Sequence, residues 1–261
     1  MFTDSASLKG RLKASGIHLG ISLLLAALAA LLVFFVWYPY PYREISGGRE
    51  LFILVVTVDV IMGPLMTLAV FNMAKPRKEL RRDLVIIGVL QLAALAYGLW
   101  TVAVARPVHL VFEIDRFRVV HAIDVPPELL DRAPPGLRRL PLAGPTLLSV
   151  RDFKDAKESF DATMAALQGA ALGARPDLWQ SYEKARPQIL ARNRPLTELK
   201  ARFPARSTDI DRALKAASSG AASQSALSIS YVPMVGRQTF WTVLIDSNTA
   251  EVIAFVPIDS F

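Results

Sequence analysis

Three long apolar stretches, separated by short polar segments, fill most of the first 105 residues of the chain. They cover residues 17–38, 51–73 and 84–105. Each has about the 20 residues that an α-helix, rising about 1.5 Å per residue, needs to cross the hydrocarbon core of a bilayer. None carries the polar stripe, repeating about every 3.6 residues, that a core helix of a soluble protein would have. The pattern therefore predicts three transmembrane helices.

A cleaved signal peptide is the alternative interpretation of the first stretch. The run Ala27-Leu28-Ala29 supplies the small residues that a cleavage site needs. It is followed by LLVFFVWY, however, and not by the polar start of a mature protein. The sequence thus favours a first helix that is retained in the membrane.

Lys and Arg are concentrated on one side of the three predicted helices. The arm before the first helix and the loop between the second and third carry eight of them. The loop between the first two helices carries two, and two Glu residues balance these. Because Lys and Arg are retained on the cytoplasmic side of a membrane, we expect a cytoplasmic N-terminus and an exported C-terminal part.

The remaining residues, 106–261, have the mixed pattern of an α+β domain. RPVHLVFEIDRFRVVHAIDV predicts a β-hairpin that turns at DRFR, and the tail predicts three strands that turn at VGRQ and DSNTAE. Between them, helices are predicted to start at Asp152 and Pro176, and SSGAASQSA is predicted to be a flexible connector. The predicted protein has a cytoplasmic arm (1–16), a three-helix transmembrane domain (17–105) and a periplasmic α+β domain with β-hairpins (106–261).

The net charge of +7 does not require a nucleic-acid partner. Its only dense basic run is KPRKELRRD, the predicted loop between the second and third helices. A basic loop at that place is explained by membrane topology and by contact with lipid headgroups. The chain has no cysteine, so the exported domain folds without disulfides. A location in the bacterial envelope fits this composition.

Residues typical of catalytic or metal sites are sparse. The chain has three histidines, His18, His109 and His121, and no cysteine, and their spacing matches no metal-ligand motif. It has no Walker loop, GxSxG or HExxH motif. We therefore predict no catalytic, cofactor-binding or metal-ligating residue, no small-molecule substrate, and a protein that is not an enzyme.

Asp59 is the exception within the apolar stretches, one turn before the pair Gly63-Pro64. A carboxylate near the middle of a membrane helix costs about 2.5–3.5 kcal/mol on insertion scales, so it is expected to face another helix. Pro64 cannot donate a backbone hydrogen bond, which with Gly63 predicts a kink. Two interpretations remain open: Asp59 locks the helix bundle through a hydrogen bond, or it offers a polar contact to the transmembrane helix of a partner.

Depth predicts the neighbour of Asp59. Counted from Leu51, Asp59 lies about 12 Å below the outer interface at about 1.5 Å per residue. Tyr97, about eight residues from the outer end of the third helix, lies at nearly the same depth. We therefore predict a contact between Asp59 and the Tyr97 hydroxyl, with Gln91, about six residues deeper, as the next candidate.

Several blocks of the sequence together resemble a known family. WYPYP, VDVxxGP and ARPVxLVFxxDRF occur in order, followed by LPLAGPT and YVPMVGRQTFWTVLID. Over nearly its whole length the chain resembles the type IV pilin accessory proteins of the TfpX/TfpZ class. It departs from the family pattern at Ala250, where Gly is expected after Thr249.

The resemblance implies a chaperone-like inner-membrane protein that helps a specific major pilin to be assembled or kept stable, without a known reaction. The implied partner is the cognate pilin, through its transmembrane helix, its globular head or both. Two other functions are alternatives: a membrane-bound pilin-modifying enzyme and an envelope sensor. The first requires an acid/base site at the membrane surface and the second a cytoplasmic output domain, and the sequence indicates neither.

Overall fold

The computed structural model describes residues 5–72, 75–218 and 228–261. It divides into two compact units. The membrane unit comprises Met1–Pro39 and Gly48–Ala105, and the C-terminal unit comprises Tyr40–Gly47 and Arg106–Phe261. All of the predicted connector SSGAASQSA except Ser218 lies outside the described residues.

The predicted three apolar helices are confirmed. The helices of the first half are α1 (Ser5–Leu31, continued by a π-helical segment Leu32–Trp37), α2 (Tyr42–Ile45, in the C-terminal unit), α3 (Gly48–Val70) and α4 (Arg77–Val104). Helices α1, α3 and α4 are each long and apolar enough to cross a membrane. Helix α3 packs against both α1 and α4.

Small residues allow close packing within the membrane unit. A Cβ atom on Gly98 of α4 would lie 2.4 Å from a methyl of Val55 of α3. A Cβ atom on Gly48 would likewise lie 2.4 Å from the Tyr38 ring, whose hydroxyl donates to the carbonyl of Val102 at 3.1 Å. Close backbone approach of this kind replaces the hydrophobic driving force that is missing between helices in lipid.

The C-terminal unit is built on one mixed sheet. The strands are β1 (Pro107–Glu113), β2 (Arg116–His121), β3 (Thr146–Val150), β4 (Trp179–Ser181), β5 (Arg194–Pro195), β6 (Ile229–Val235), β7 (Phe240–Asp246) and β8 (Val252–Val256). Their order in the sheet is β4-β3-β1-β2-β6-β7-β8, and β5 pairs with β6. Strands β1 and β3 are parallel, as are β2 and β6, and the other pairs are antiparallel.

Besides α2, the described part of this unit contains four helices and several 3₁₀ turns. The helices are α5 (Ala156–Leu167), α6 (Arg186–Arg192), α7 (Leu196–Arg202) and α8 (Ser207–Ser218). Three buried apolar clusters lie against the sheet, and their largest fully buried side chains include Trp179, Phe117 and Tyr231. The 3₁₀ segments are Ala122–Asp124, Pro127–Arg132, Leu172–Ala174, Pro176–Leu178, Tyr182–Ala185 and Pro204–Arg206.

The segment between α1 and α3 belongs to the core of the C-terminal unit. Tyr42 and Ile45 are buried in its largest apolar cluster. A Cβ atom on Gly236, in the turn between β6 and β7, would lie 1.9 Å from a methyl of Ile45. The sequence pattern predicted that this segment belongs to the membrane domain, because a short loop between two apolar helices gives no signal of its distant packing partner.

The predicted strands of the tail, with turns at VGRQ and DSNTAE, are confirmed. So is the first hairpin, but its turn lies at Ile114 and Asp115. Ile114 has a left-handed backbone (φ 52°) and is 60% exposed, so it does not continue the buried side of β1. Ala250 also has a left-handed backbone (φ 60°), as expected at a position where the family pattern has Gly.

Two helix predictions need correction. The helix expected from Asp152 begins at Ala156, because Asp155 caps it by accepting from the backbone N–H of Glu158 at 2.7 Å. The helix expected from Pro176 is instead a 3₁₀ turn, strand β4, a second 3₁₀ turn and α6. Burial of the Trp179 side chain and pairing of β4 with β3 override the local helical pattern.

Candidate functional site

The main polar contact inside the membrane unit joins α3 to α4. The Gln91 side-chain amide donates from Nε2 to the carbonyl oxygen of Asp59 at 3.0 Å and to its carboxyl Oδ1 at 3.3 Å. Both residues are buried. Asp59 stands eleven residues from each end of α3, and Gln91 lies near the middle of α4. The pair therefore occupies the middle of the two helices.

The predicted contact between Asp59 and Tyr97 is wrong. The Tyr97 side chain is 68% exposed, and its ring lies 5.8 Å from that of Trp100. Helix α3 begins at Gly48, three residues before the position assumed from the sequence, so Asp59 lies deeper than expected. Asp59 lies eleven residues from the start of α3 at Gly48. Gln91 lies thirteen residues from the end of α4 at Val104, and Tyr97 lies seven residues from it. The depth of Asp59 therefore matches that of Gln91 better than that of Tyr97.

Gly63 makes room for the Gln91 amide. A Cβ atom at Gly63 would lie 1.9 Å from Gln91 Nε2, a distance that no real side chain tolerates. Pro64 lies inside α3, which continues as a helix to Val70. The carbonyl of Pro64 accepts a hydrogen bond from the Ser15 hydroxyl of α1 at 2.9 Å. Gly63 and Pro64 therefore both act at interfaces of α3, one toward α4 and the other toward α1.

A second polar contact joins α1 to α3. His18 Nδ1 is hydrogen-bonded to the hydroxyl of Thr67, and the Thr67 side chain is 2% exposed. No sequence motif pointed to a role for His18, Ser15 or Thr67. A polar residue that points inward in a membrane helix is expected to form a hydrogen bond with another helix. The occurrence of these three polar residues in apolar helices was therefore the sequence signal that could have predicted this contact.

A groove of about 440 Å³ lies in the membrane unit and takes in these polar side chains. Helices α1, α3 and α4 all contribute to its walls. Its polar residues are His18, Ser22, Asp59, Thr67 and Gln91, and the remainder of the lining is apolar or Gly.

Gln91 leaves one buried polar atom in this groove without a partner. Its Oε1 has no hydrogen-bond partner in the described part of the chain. The orientation of the amide follows from its surroundings, because Nε2 faces two acceptor oxygens of Asp59 and an exchange of Nε2 and Oε1 would set oxygen against oxygen. Gln91 Oε1 is thus a buried acceptor of a groove-lining residue that lacks a donor among the described residues.

The C-terminal unit has polar groups in its interior as well. Glu113 is buried and accepts from Arg118 Nε at 2.8 Å and from the backbone N–H of Gly173. This arrangement ties the hairpin to the loop before β4 and stabilises the fold. Within residues 5–72, 75–218 and 228–261, no group of three or more His, Cys, Asp and Glu side chains could hold a metal ion.

His109 is the most perturbed base of this unit. Burial lowers the pKa of its imidazole to about 4. Its Nδ1 lies 2.7 Å from the hydroxyl of Thr146, and its ring packs edge-on against Trp179. The imidazole is therefore neutral at pH 7 and acts as a core residue of the sheet.

Comparison with known proteins places this arrangement in a family. The family model for the fimbrial assembly protein FimB matches residues 6–47. The chain is 38% identical over 251 residues to the fimbrial assembly protein of serogroup I of Dichelobacter nodosus, covering 95% of each protein. The chain belongs to the FimB family of fimbrial assembly proteins.

Other members of the FimB family are similar over the same or shorter lengths. The serogroup E1 protein of Dichelobacter nodosus is 36% identical over 251 residues, again covering 95% of both chains. The protein of serogroups C1 and C2 is 46% identical over 122 residues, which are 47% of this chain and 91% of that relative. No solved structure matches the chain. The FimB match of residues 6–47 takes in both α1 and the segment that contributes Tyr42 and Ile45 to the C-terminal core.

Proposed function

We propose that this FimB-family protein is an inner-membrane accessory protein of the TfpX/TfpZ class, which helps a specific type IV major pilin to be assembled or kept stable. It acts as a chaperone-like binding protein and does not catalyse a reaction. The observation that carries the proposal is the similarity to fimbrial assembly proteins over 95% of both chains, since it covers the membrane unit and the C-terminal unit together.

The two units suit a client that is itself half in the membrane. A pilin before assembly has a long apolar helix in the bilayer and a globular head outside it. The membrane unit offers helical surfaces to the first part, and the folded C-terminal unit offers a surface to the second. A helper that binds both parts can hold the client in a form that is ready for assembly.

The proposed orientation has a cytoplasmic N-terminus and a periplasmic C-terminal unit. The excess of Lys and Arg before α1 and between α3 and α4 supports it. The packing of Ile45 and Tyr42 into the C-terminal core adds support, because the segment between α1 and α3 must then lie on the same side of the membrane as residues 106–261. Three spanning helices satisfy that condition, because the chain is then on the same side of the membrane after α1 and after α4.

Deletion of the protein tests the proposal. We expect surface pili made from the cognate pilin to be strongly reduced, while the assembly machinery still polymerises an unrelated pilin supplied in its place. The reason is that a dedicated helper recognises its client pilin and not the assembly machinery. Normal piliation in the deletion strain, or equal loss with both pilins, would contradict the proposal.

Alanine substitutions in the C-terminal unit distinguish a helper from a pilin-modifying enzyme. A binding surface spreads its energy over several contacts with a few hot spots, so we expect graded losses of piliation. An enzyme would lose function completely through one or two substitutions while the protein stays folded and abundant. The mass of the pilin is the second measurement, and a modification that disappears with the protein would favour the enzyme.

A further inference from the structure

The groove in the membrane unit is long as well as apolar. Its lining runs along α1 from Ala14 to Leu25 and along α4 from Leu84 to Leu95. Each of these stretches spans eleven residue steps, or about 16 Å at 1.5 Å per residue. A groove about three helical turns long fits an extended apolar occupant better than a compact small molecule.

The walls of the groove expose large apolar side chains. Ile17 and Ile21 of α1 are 57% and 53% exposed, and Leu92 of α4 is 58% exposed. Gly88 widens the groove, since a Cβ atom there would have no atom within 4 Å. The occupant must therefore be an apolar body that lies within the bilayer.

The floor of the groove adds a chemical requirement. Gln91 Oε1 is buried without a partner, and the Asp59 carboxyl beside it also lines the groove. A lipid acyl chain cannot donate a hydrogen bond to these oxygens. A buried acceptor left unsatisfied is unfavourable, so an occupant that brings a donor is favoured. The groove thus selects an apolar helix with one polar donor about halfway along it.

We propose that this groove binds the transmembrane helix of the client pilin, and that the helix presents a hydroxyl, amide or ammonium donor to Gln91 Oε1 and the Asp59 carboxyl. The inference rests on the proposed function, which supplies the client. It adds the contact surface and the chemistry of recognition. A second copy of this chain is the competing occupant, since its exposed Tyr97 is a donor on a membrane helix.

Photo-crosslinking in native membranes tests the occupant. A diazirine analogue of leucine replaces Leu92, which lines the groove, or Leu90, which does not and is equally exposed (59%). We expect the full-length protein to capture the cognate pilin from position 92 and not from position 90. Capture of a second copy, of lipid alone, or of pilin equally from both positions would overturn the assignment.

A blocking substitution tests whether the groove is needed. Gly88→Leu fills the groove without meeting an atom of the fold, and Gly20→Leu is the matched control, because Gly20 has equally open surroundings on α1 and does not line the groove. At equal membrane levels we expect Gly88→Leu to reduce pilin capture from position 92 and surface piliation roughly tenfold, as loss of a hot spot does. Gly20→Leu should change neither.

The outcomes separate the two proposals. If the deletion strain loses its pili but Gly88→Leu retains them, the groove is not the docking site and the proposed function stands. If the deletion strain keeps its pili, the proposed function fails. Replacement of Gln91 by Leu tests the donor requirement, and pilin capture from position 92 that is undiminished in that variant would overturn the proposed hydrogen bond.

Discussion

The two units of this protein differ in how much of their apolar surface they bury. In the membrane unit, at most 28% of the most apolar window of each spanning helix is buried, and the buried set includes Ser22, Asp59, Thr67 and Gln91. In the C-terminal unit, the sheet is covered by three clusters of apolar side chains. Most large apolar residues of the spanning helices face outward, apart from a small cluster around Val33 and Val102, whereas those of the sheet face inward.

The difference follows from the solvent of each unit. In water, burial of apolar area drives folding, so the C-terminal unit is specified by its Leu, Ile, Val and aromatic residues. In lipid, exposure of a Leu side chain costs no free energy, and the arrangement of helices depends on close packing and a few hydrogen bonds. A small number of polar residues and glycines therefore has unusual weight in the membrane unit.

The same substitution at two leucines tests this comparison most strongly. Leu244 is fully buried in the C-terminal unit, and Leu90 on α4 is 59% exposed. We expect Leu244→Ala to lower the free energy of unfolding by about 2–5 kcal/mol through lost burial and a cavity. Leu90→Ala should change stability little, because its side chain meets lipid in both states. Thermal unfolding of the full chain in detergent measures both, and equal losses would break the comparison.

The boundary between the units provides the second test. Ile45 lies between two membrane helices in sequence and is fully buried in the C-terminal core. We expect Ile45→Ala to destabilise the C-terminal unit by about 2–4 kcal/mol. Limited proteolysis should then cut residues 106–261 faster. Arg43→Ala, which removes an exposed ion pair with Glu44 and a cation–π contact with Tyr40, is the control and should have little effect.

Sequence patterns predicted what depends on local periodicity. Three apolar stretches of membrane length gave the helices, and alternation with turn residues gave the first hairpin and β6, β7 and β8. Strands β3, β4 and β5 were not predicted. They are two to five residues long, and their pairing depends on distant partners, as in the parallel pairing of β3 with β1.

The membrane site was predicted in part. Asp59 and Gly63 do lie at a helix interface, because a carboxylate in an apolar helix must face inward and a glycine permits close approach. The partner was missed because a shift of three residues in the start of α3 changes depth by about 4.5 Å at 1.5 Å per residue. Helix ends are the least certain part of a sequence pattern, and a depth match depends on them.

Acid provides the third test, since it acts on the buried imidazole of the C-terminal unit. The pKa of His109 is about 4 in the folded protein and about 6.5 when unfolded. The unfolded chain therefore binds the proton first, and stability that is present above pH 6.5 is lost as the pH falls toward 4. By pH 5 the loss amounts to about 2 kcal/mol.

Denaturant unfolding of the C-terminal unit between pH 7 and pH 5 measures this loss. His109→Gln removes the titrating group, so we expect a flatter dependence on pH in that variant even if its stability at pH 7 is lower. An unchanged slope would show that another group accounts for the acid sensitivity.

The smallest expected effects concern the pair of Asp59 and Gln91 in the membrane unit. They measure how much this one polar contact contributes to the packing of its helices. Gln91→Leu removes both hydrogen bonds to Asp59, and Gly63→Ala pushes the Gln91 amide away from them. Hydrogen bonds between membrane helices contribute about 0.5–2 kcal/mol, so we expect losses of that size in both variants.

Asp59→Asn keeps a side-chain oxygen for Gln91 Nε2 and should be nearly neutral. Tyr97→Phe should also be neutral, because that hydroxyl lies on the exposed face. Unfolding of the membrane unit in mixed micelles ranks the four variants, and a larger loss for Tyr97→Phe than for Gln91→Leu would contradict the pairing of Asp59 with Gln91.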